Sequence, residues 1–258
     1  MSKVPVSVVI IAKNEEDNMD ACILSVKGWA DEVVVVNDNS TDRTVAIAQQ
    51  HGAVIFHRTM DNEGIHRNWS AAQAKNEWVL YLDADERVTP ELQREIDAAL
   101  PATTHVVYSI PFRTYIGTYW VNHSGWYPGP KDRLVQKSRF RYEEAPVHPR
   151  ALYPDGTCGR LTKDIIHYGY PDLAHFLASL NRQTSLEAKK WFDTGRKMTM
   201  LVGFWRAIDR FFRSYIGKSG WKAGFMGFVI AFFAFLYQMM SYIKYYEIIR
   251  GIKPPPEK

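Results

Sequence analysis

Two carboxylates one residue apart close an apolar run in Trp78-Val79-Leu80-Tyr81-Leu82-Asp83-Ala84-Asp85-Glu86. Alternate residues of an extended chain point the same way, so Asp83 and Asp85 can converge on one point. Converging carboxylates repel each other unless a cation lies between them. Oxygen ligands at a strand end suit a hard divalent ion, Mg²⁺ or Mn²⁺, carrying substrate phosphates.

Two similar units precede this one. Val6–Ala12 runs into Lys13-Asn14-Glu15-Glu16, and Glu32–Val36 runs into Asn37-Asp38-Asn39-Ser40-Thr41-Asp42. Both runs are apolar throughout, as in strands buried on both faces of a parallel sheet. Helical stretches are expected at Asp17–Lys27, Asp42–His51 (with Ser40 or Thr41 as its cap) and Ile65–Lys75, and a short strand at Ala53–Phe56. This order predicts a doubly wound α/β sheet with its ligands at the carboxyl ends of the strands, where all three polar clusters fall.

Ser7–Glu16, Asn37–Asp42 and Asp83–Glu86 together resemble the three nucleotide-sugar motifs of family 2 glycosyltransferases. The resemblance is strong over 4–88 and looser over 108–150. Trp126-Tyr127-Pro128, Arg133-Leu134, Val147-His148 and the aromatic C-terminal part are similar to the bacterial lipopolysaccharide-core β-glucosyltransferase subgroup. The resemblance implies a GT-A fold, Rossmann-like and mainly parallel, and inversion at the sugar C1. It places uracil and ribose at Ala12, Lys13, Asn14 and Glu15, and the nucleoside on Asp38. Asp85 is then the first choice for metal ligation. Asp83 reaches ribose or a metal-bound water, Ala84 lies between them, and Glu86 orients its neighbours. Arg67, beside Asn68, has a planar fork that suits the diphosphate.

Inverting transfer also needs a base, on the face of the sugar away from the leaving group. Glu144 is the first candidate and Glu143 the second, in Arg141-Tyr142-Glu143-Glu144-Ala145-Pro146-Val147-His148-Pro149. The subgroup often reads Val-His-Glu where this chain reads Val-His-Pro; if that Glu is the subgroup's base, this chain has moved or lost it. His148 is a candidate third metal ligand, and His167 and Asp132 are weaker alternatives. Tyr119, Trp120, Trp126 and Tyr127 offer faces for stacking on an acceptor sugar. A basic run, Lys131, Arg133, Lys137, Arg139 and Arg141, lies beside them and offers charge to the donor diphosphate or to acceptor phosphates, with Arg133 expected on the acceptor side.

The chain has 258 residues and a net charge of +4, room for one α/β domain (1–181) and a helical appendage (182–258). Charge is divided unevenly. Residues 1–181 hold 18 Lys and Arg against 23 Asp and Glu; residues 182–258 hold 14 against 5. The basic part is also the most apolar. Met198–Ile216 reads as an amphipathic helix with aromatic anchors and a basic face. Ala223–Ile243, about 21 residues, can just span a bilayer, although its glycines and aromatics also suit a helix lying in one leaflet. Basic plus apolar character predicts an anionic membrane surface as partner, and no nucleic-acid motif is present. Two distant cysteines fit free thiols in a reducing cytosol. The amino-terminal residues lead into a strand rather than a signal peptide. The expected location is the cytoplasmic face of the bacterial inner membrane, peripheral or monotopic, with a single C-terminal span as the alternative.

The expected activity is transfer of a hexose, glucose from UDP-glucose, to a lipid-linked acceptor such as the lipopolysaccharide inner core. Transfer to a polyprenyl-phosphate or an exopolysaccharide precursor is the alternative within the class. From other classes, a nucleotidyltransferase would need a Gly-rich phosphate loop where this chain has Ala12–Glu16, and a non-catalytic sugar-nucleotide-binding protein would have no functioning base.

Overall fold

A computed structural model of the chain describes residues 4–145 and 149–252. The elements run β1 (Val6–Ala12), α1 (Glu16–Leu24), β2 (Glu32–Asn37), α2 (Thr44–Gln50), β3 (Val54–His57), α3 (Glu63–Ala72), β4 (Trp78–Asp83), β5 (Glu86–Val88) and α4 (Pro90–Ala99). There follow β6 (Val107–Ile110), β7 (Phe112–Ile116), β8 (Tyr119–Trp120), β9 (Lys131–Gln136), β10 (Arg141–Tyr142), β11 (Ala151–Leu152), β12 (Cys158–Arg160) and β13 (Ile165–Tyr170). Three helices close the fold: α5 (Leu173–Asp193), α6 (Met200–Phe212) and α7 (Gly224–Ile249). The expected βαβαβ order is present, with helix ends moved by one to three residues.

Two compact units form, Met1–Arg113 with Gly129–Gly169 and Thr114–Pro128 with Tyr170–Lys258. The compositional boundary after residue 181 lies inside α5, whose 21 residues belong to the second unit.

In the first unit a seven-stranded sheet has the order β12-β6-β9-β4-β1-β2-β3. β4, β1, β2 and β3 pair in parallel. The sheet is mainly parallel, as expected; within it β9 runs antiparallel to both neighbours, β4 and β6. The apolar runs of β1 and β4 are buried along nearly their whole length. Helices cover such strands on both faces, so each strand's polar groups emerge only at its carboxyl end.

In the second unit, α7 packs against α5 and α6. Small residues permit the α6–α7 approach: a Cβ on Gly203 would lie 2.8 Å from the Tyr242 ring. Lys244 of α7 donates to the Asn181 side chain, to Thr184 and to Ser185, at 2.7–2.9 Å, and so ties α7 to α5. The large apolar residues of α6 point the other way. Leu201 is 79% and Trp205 69% exposed, as is Phe225 of α7 at 77%. The helical segment Gly220–Ile249 is long and apolar enough to cross a membrane, by length and composition.

Candidate active site

Register brings the first two motifs together. Ala12 lies opposite Asn37 in the parallel β1–β2 pair, so Lys13 and Asp38 leave the sheet side by side. Lys13 Nζ is 3.4 Å from Asp38 Oδ2, and Asp38 Oδ1 accepts from Met60 N–H at 3.1 Å. Asn14 turns the chain in the left-handed region, φ 54°, which asparagine tolerates. Its backbone N–H donates to Ser40 Oγ, and its side-chain oxygen accepts from Thr41 N–H. Ser40 and Thr41 therefore join the two loops and do not cap α2. Asp42 faces that helix start, accepting from Thr44 N–H at 3.0 Å.

Glu15 is half-buried by this arrangement. Burial, with the Asp85, Asp83 and Asp42 carboxylates adding to it, raises its pKa against an opposing hydrogen bond from Asn18. A corner rich in negative charge suits a cation.

The third motif divides its carboxylates between two tasks. Asp83 is gripped by arginines: Arg133 Nη2 donates to its Oδ2 at 2.6 Å, and Arg67 Nη2 stands 3.6 Å from Oδ1. Burial acts to raise the Asp83 pKa, but Arg133 and Arg67 outweigh it and hold the carboxyl well below its usual range. Glu86 is fully buried, takes a second bond from Arg133 at 2.7 Å and accepts from Asp83 N–H. Burial pushes Glu86 up to about 7 despite Arg133, with the Asp83 charge adding to the rise. Glu86 thus orients Arg133 and the Asp83 backbone. Arg133 lies under the motif and not on an acceptor surface as expected from sequence.

Asp85 remains. β13 pairs antiparallel with β5, His167 opposite Glu86, and Tyr168 N–H donates to the Asp85 carbonyl at 2.9 Å. His167 Nε2 then lies 3.3 Å from Asp85 Oδ2. Asp85, Glu86 and His167 each present a ligand atom, all within 4.8 Å of one another. Glu86 is committed to Arg133, while Asp85 and His167 bring a carboxylate and an imidazole face to face. That donor pair fits Mn²⁺ or Mg²⁺. Sequence had ranked His148 above His167; His148 lies outside the described residues. The available signal for His167 was a histidine inside the apolar strand Ile165–Tyr170.

A cavity of about 450 Å³ opens beside Asp83, with Glu63, Arg67, Lys131, Asp132 and Tyr142 among its lining. Arg67 is pinned there by Glu63 at 3.1 Å, its guanidinium 5.7 Å from the Tyr142 ring centroid. Asn68 holds the β10 strand rather than pointing at a ligand. Its amide donates to Tyr142 C=O and accepts from Tyr142 N–H.

The candidate bases follow β10. Glu143 is bound by both arms of the Arg150 fork, at 2.8 and 2.9 Å, which lowers its value as a proton acceptor. Glu144 is exposed. Asp132 lines the cavity, and burial raises its pKa. Lys137 and Arg139 of the basic run instead donate to the backbone carbonyls of Ala74 and Asp155. The aromatic candidates Tyr119, Trp120, Trp126 and Tyr127 belong to the second unit, where Trp120 and Tyr127 meet edge to face at 5.4 Å.

A mixed α/β sheet with three polar strand ends and a paired acidic motif defines a nucleotide-sugar transferase of the GT-A kind. The chain belongs to glycosyl transferase family 2, whose family model matches residues 7–158. Among curated relatives it is 24% identical over 252 residues to the lipopolysaccharide core biosynthesis glycosyltransferase LpsC of Rhizobium meliloti (strain 1021), covering 95% of this chain and 93% of that one. It is 27% identical over 235 residues to an uncharacterized glycosyltransferase of Rickettsia bellii (strain RML369-C), covering 87% and 80%. S. aureus TarS superposes with a TM-score of 0.47 at 17% identity, over 72% of this chain and 40% of that one. Glucosyl-3-phosphoglycerate synthase of Mycobacterium tuberculosis, solved with Mn²⁺ and UDP-glucose, gives 0.38 at 22% identity, over 43% and 44%. The chain spans less than half the length of those two solved structures. Family membership sets aside the nucleotidyltransferase and non-catalytic readings.

Proposed function

We propose that this glycosyltransferase moves a hexose, glucose from UDP-glucose in the first instance, onto a lipid-linked glycan such as the lipopolysaccharide inner core, with inversion at C1. The observation that carries this reading is the division of labour in the third motif. Two arginines fix Asp83 beside a polar cavity, and Asp85 is left facing His167. Likeness to LpsC over nearly the full length supports the acceptor class.

In this reading Lys13, Asn14, Glu15 and Asp38 receive the nucleoside, and Asp83 the ribose. Arg67 exchanges part of its hold on Glu63 for diphosphate oxygens. Asp85 and His167 would hold Mg²⁺ or Mn²⁺, and the ion would supply positive charge against the departing diphosphate. Glu144 takes the proton from the acceptor hydroxyl as that oxygen bonds to C1. The bond from C1 to the diphosphate breaks, and its electron pair leaves with UDP. Asp132 is the second candidate for the base, because it lines the cavity and burial raises its pKa.

The second unit lies on the anionic cytoplasmic leaflet of the inner membrane. The outward large apolar side chains of α6 and α7 support this, as does the basic balance of residues 182–258.

The test is release of UDP from a panel of UDP-sugars by purified protein with Mn²⁺, beside Asp85→Ala. Slow release from one sugar, lost on chelation and in the variant, is the expected result. No release from any sugar, and no metal-dependent UDP binding, would overturn the reading.

A further inference from the structure

We propose that the second unit holds a short segment of one acyl chain of an anionic membrane lipid in a slot between α5, α6 and α7. The proposal rests on the reading that this unit lies on a membrane. The slot has a volume of about 180 Å³, the scale of a cavity of roughly 150 Å³ that admits a benzene-sized apolar guest. Four aromatic rings form one wall. Trp126 lies 6.1 Å from both Tyr170 and Phe176, and Phe176 lies 4.9 Å from Phe233. Such a wall suits a hydrocarbon chain and repels a hydrated one.

The slot's charged residue points to the sign of the head group. Arg210 lines it, its guanidinium 5.2 Å from the Tyr237 ring centroid, and makes no ion pair among the described residues. Its neighbour Asp209 is taken by Arg213. A cation bordering an apolar slot with no ion-pair partner, the neighbouring Glu187 being bonded to Trp191 Nε1, complements an anionic head. Gln183 adds an amide to the same lining.

A second observation is independent of that charge. Gln238 sits one helical turn beyond Ala234, which lines the slot. It is fully buried, and neither its amide oxygen nor its nitrogen has a hydrogen-bond partner among the described residues. Buried amides are rarely left so, and a partner of some kind is expected. Gln238 is not itself in the slot's lining, and only an acceptor passing Ala234 would reach its amide nitrogen. α6 and α7, which carry the exposed Leu201, Trp205 and Phe225, also line the slot through Arg210, Phe233 and Ala234.

The test uses the full chain on phosphatidylcholine vesicles with a minority of phosphatidylglycerol carrying a diazirine in its acyl chain. Irradiation, digestion and mass spectrometry locate the adducts. The expected adducts fall on Trp126, Phe176 and Phe233, besides the outward Leu201 and Phe225. Ala234→Leu, which narrows the slot, should reduce the slot adducts about tenfold while co-sedimentation with vesicles is unchanged. Arg210→Gln should reduce slot adducts from the phosphatidylglycerol probe and not those from a phosphatidylcholine probe. Adducts confined to outward residues, identical in wild type and Ala234→Leu, would overturn the slot and leave membrane binding intact. Equal slot labelling by both probes in the wild type would overturn the anionic head group. Failure to sediment with any vesicle would overturn the membrane reading and the slot with it.

Discussion

Asn68 and Tyr142 hold each other at both ends of one amide. Asn68 Nδ2 donates to the Tyr142 carbonyl at 2.9 Å, and the Tyr142 N–H donates to Asn68 Oδ1 at 2.7 Å. One turn earlier, Gly64 N–H donates to the Ala145 carbonyl. A Cβ on Gly64 would lie 1.8 Å from the Glu143 carbonyl oxygen. α3 is thus the bed on which the segment carrying Glu143 and Glu144 rests.

Asn68→Ala removes both partners of the Tyr142 backbone, a loss of about 1–3 kcal/mol for each buried group left unpaired. Turnover should fall about tenfold, more than donor KM rises, because the proposed nucleoside contacts lie on other loops and Arg67, which faces the Tyr142 ring, is the proposed donor contact nearest this segment. Gly64→Ala should do the same and lower Tm, since backbone must shift to admit the methyl group. Initial rates and thermal melts check both. A change in donor KM alone would contradict the placement of this segment.

Arg133 is the sole cation bonded to both Asp83 and Glu86 among the described residues. Removing one partner of a buried ionic cluster costs about 3–5 kcal/mol. Arg133→Ala should lower the denaturation midpoint sharply. Arg133→Lys should recover only part of it, because a single ammonium cannot reproduce the fork. Chemical denaturation of the three proteins measures this.

Asp85→Asn and His167→Ala should each weaken Mn²⁺ binding about tenfold or more, with the fold retained. Glu86→Gln should instead reduce stability, because its carboxylate faces Arg133. Titration of Mn²⁺ by electron paramagnetic resonance in the presence of UDP reads metal affinity without turnover. Equal affinity in His167→Ala and wild type would remove His167 from the metal site.

His66 is fully buried in α3, and its ring makes no well-formed hydrogen bond among the described residues beyond a weak contact with the Thr59 backbone. Burial, with Arg58 adding to it, lowers its pKa in the folded state. The unfolded chain therefore takes the proton first as pH falls, and its ordinary value is about 6.5. The stability this neutral ring contributes is present above that pH and is lost as pH falls below it. Denaturation midpoints at pH 7.5 and 5.5 should differ less in His66→Leu than in wild type.

The strand-end motifs were legible in sequence because each is local. An apolar run of one strand's length, followed at once by Lys13, Asp38 or Asp83 and Asp85, needs no knowledge of distant partners. The parallel order of β1, β2 and β4 followed from the helices between them. Three features depended on long-range pairing and could not be read that way. β9 enters the sheet antiparallel between β4 and β6, and that alone brings Arg133 under Asp83, 50 residues away in the chain. β13 pairs with β5, and that alone brings His167 to Asp85. Ser40 and Thr41 look like helix caps in sequence, but the β1–β2 register delivers Asn14 to them first. The outward placement of Leu201 and Trp205 on α6 is likewise tertiary. Sequence marks one face of that helix as apolar, but only the packing of Gly203 and Ala207 inward shows which face meets α7. The sequence determined which residue types stand at the strand ends; pairing between distant strands and helices decided which of them meet, because contact energy is gained only once the chain between them has closed.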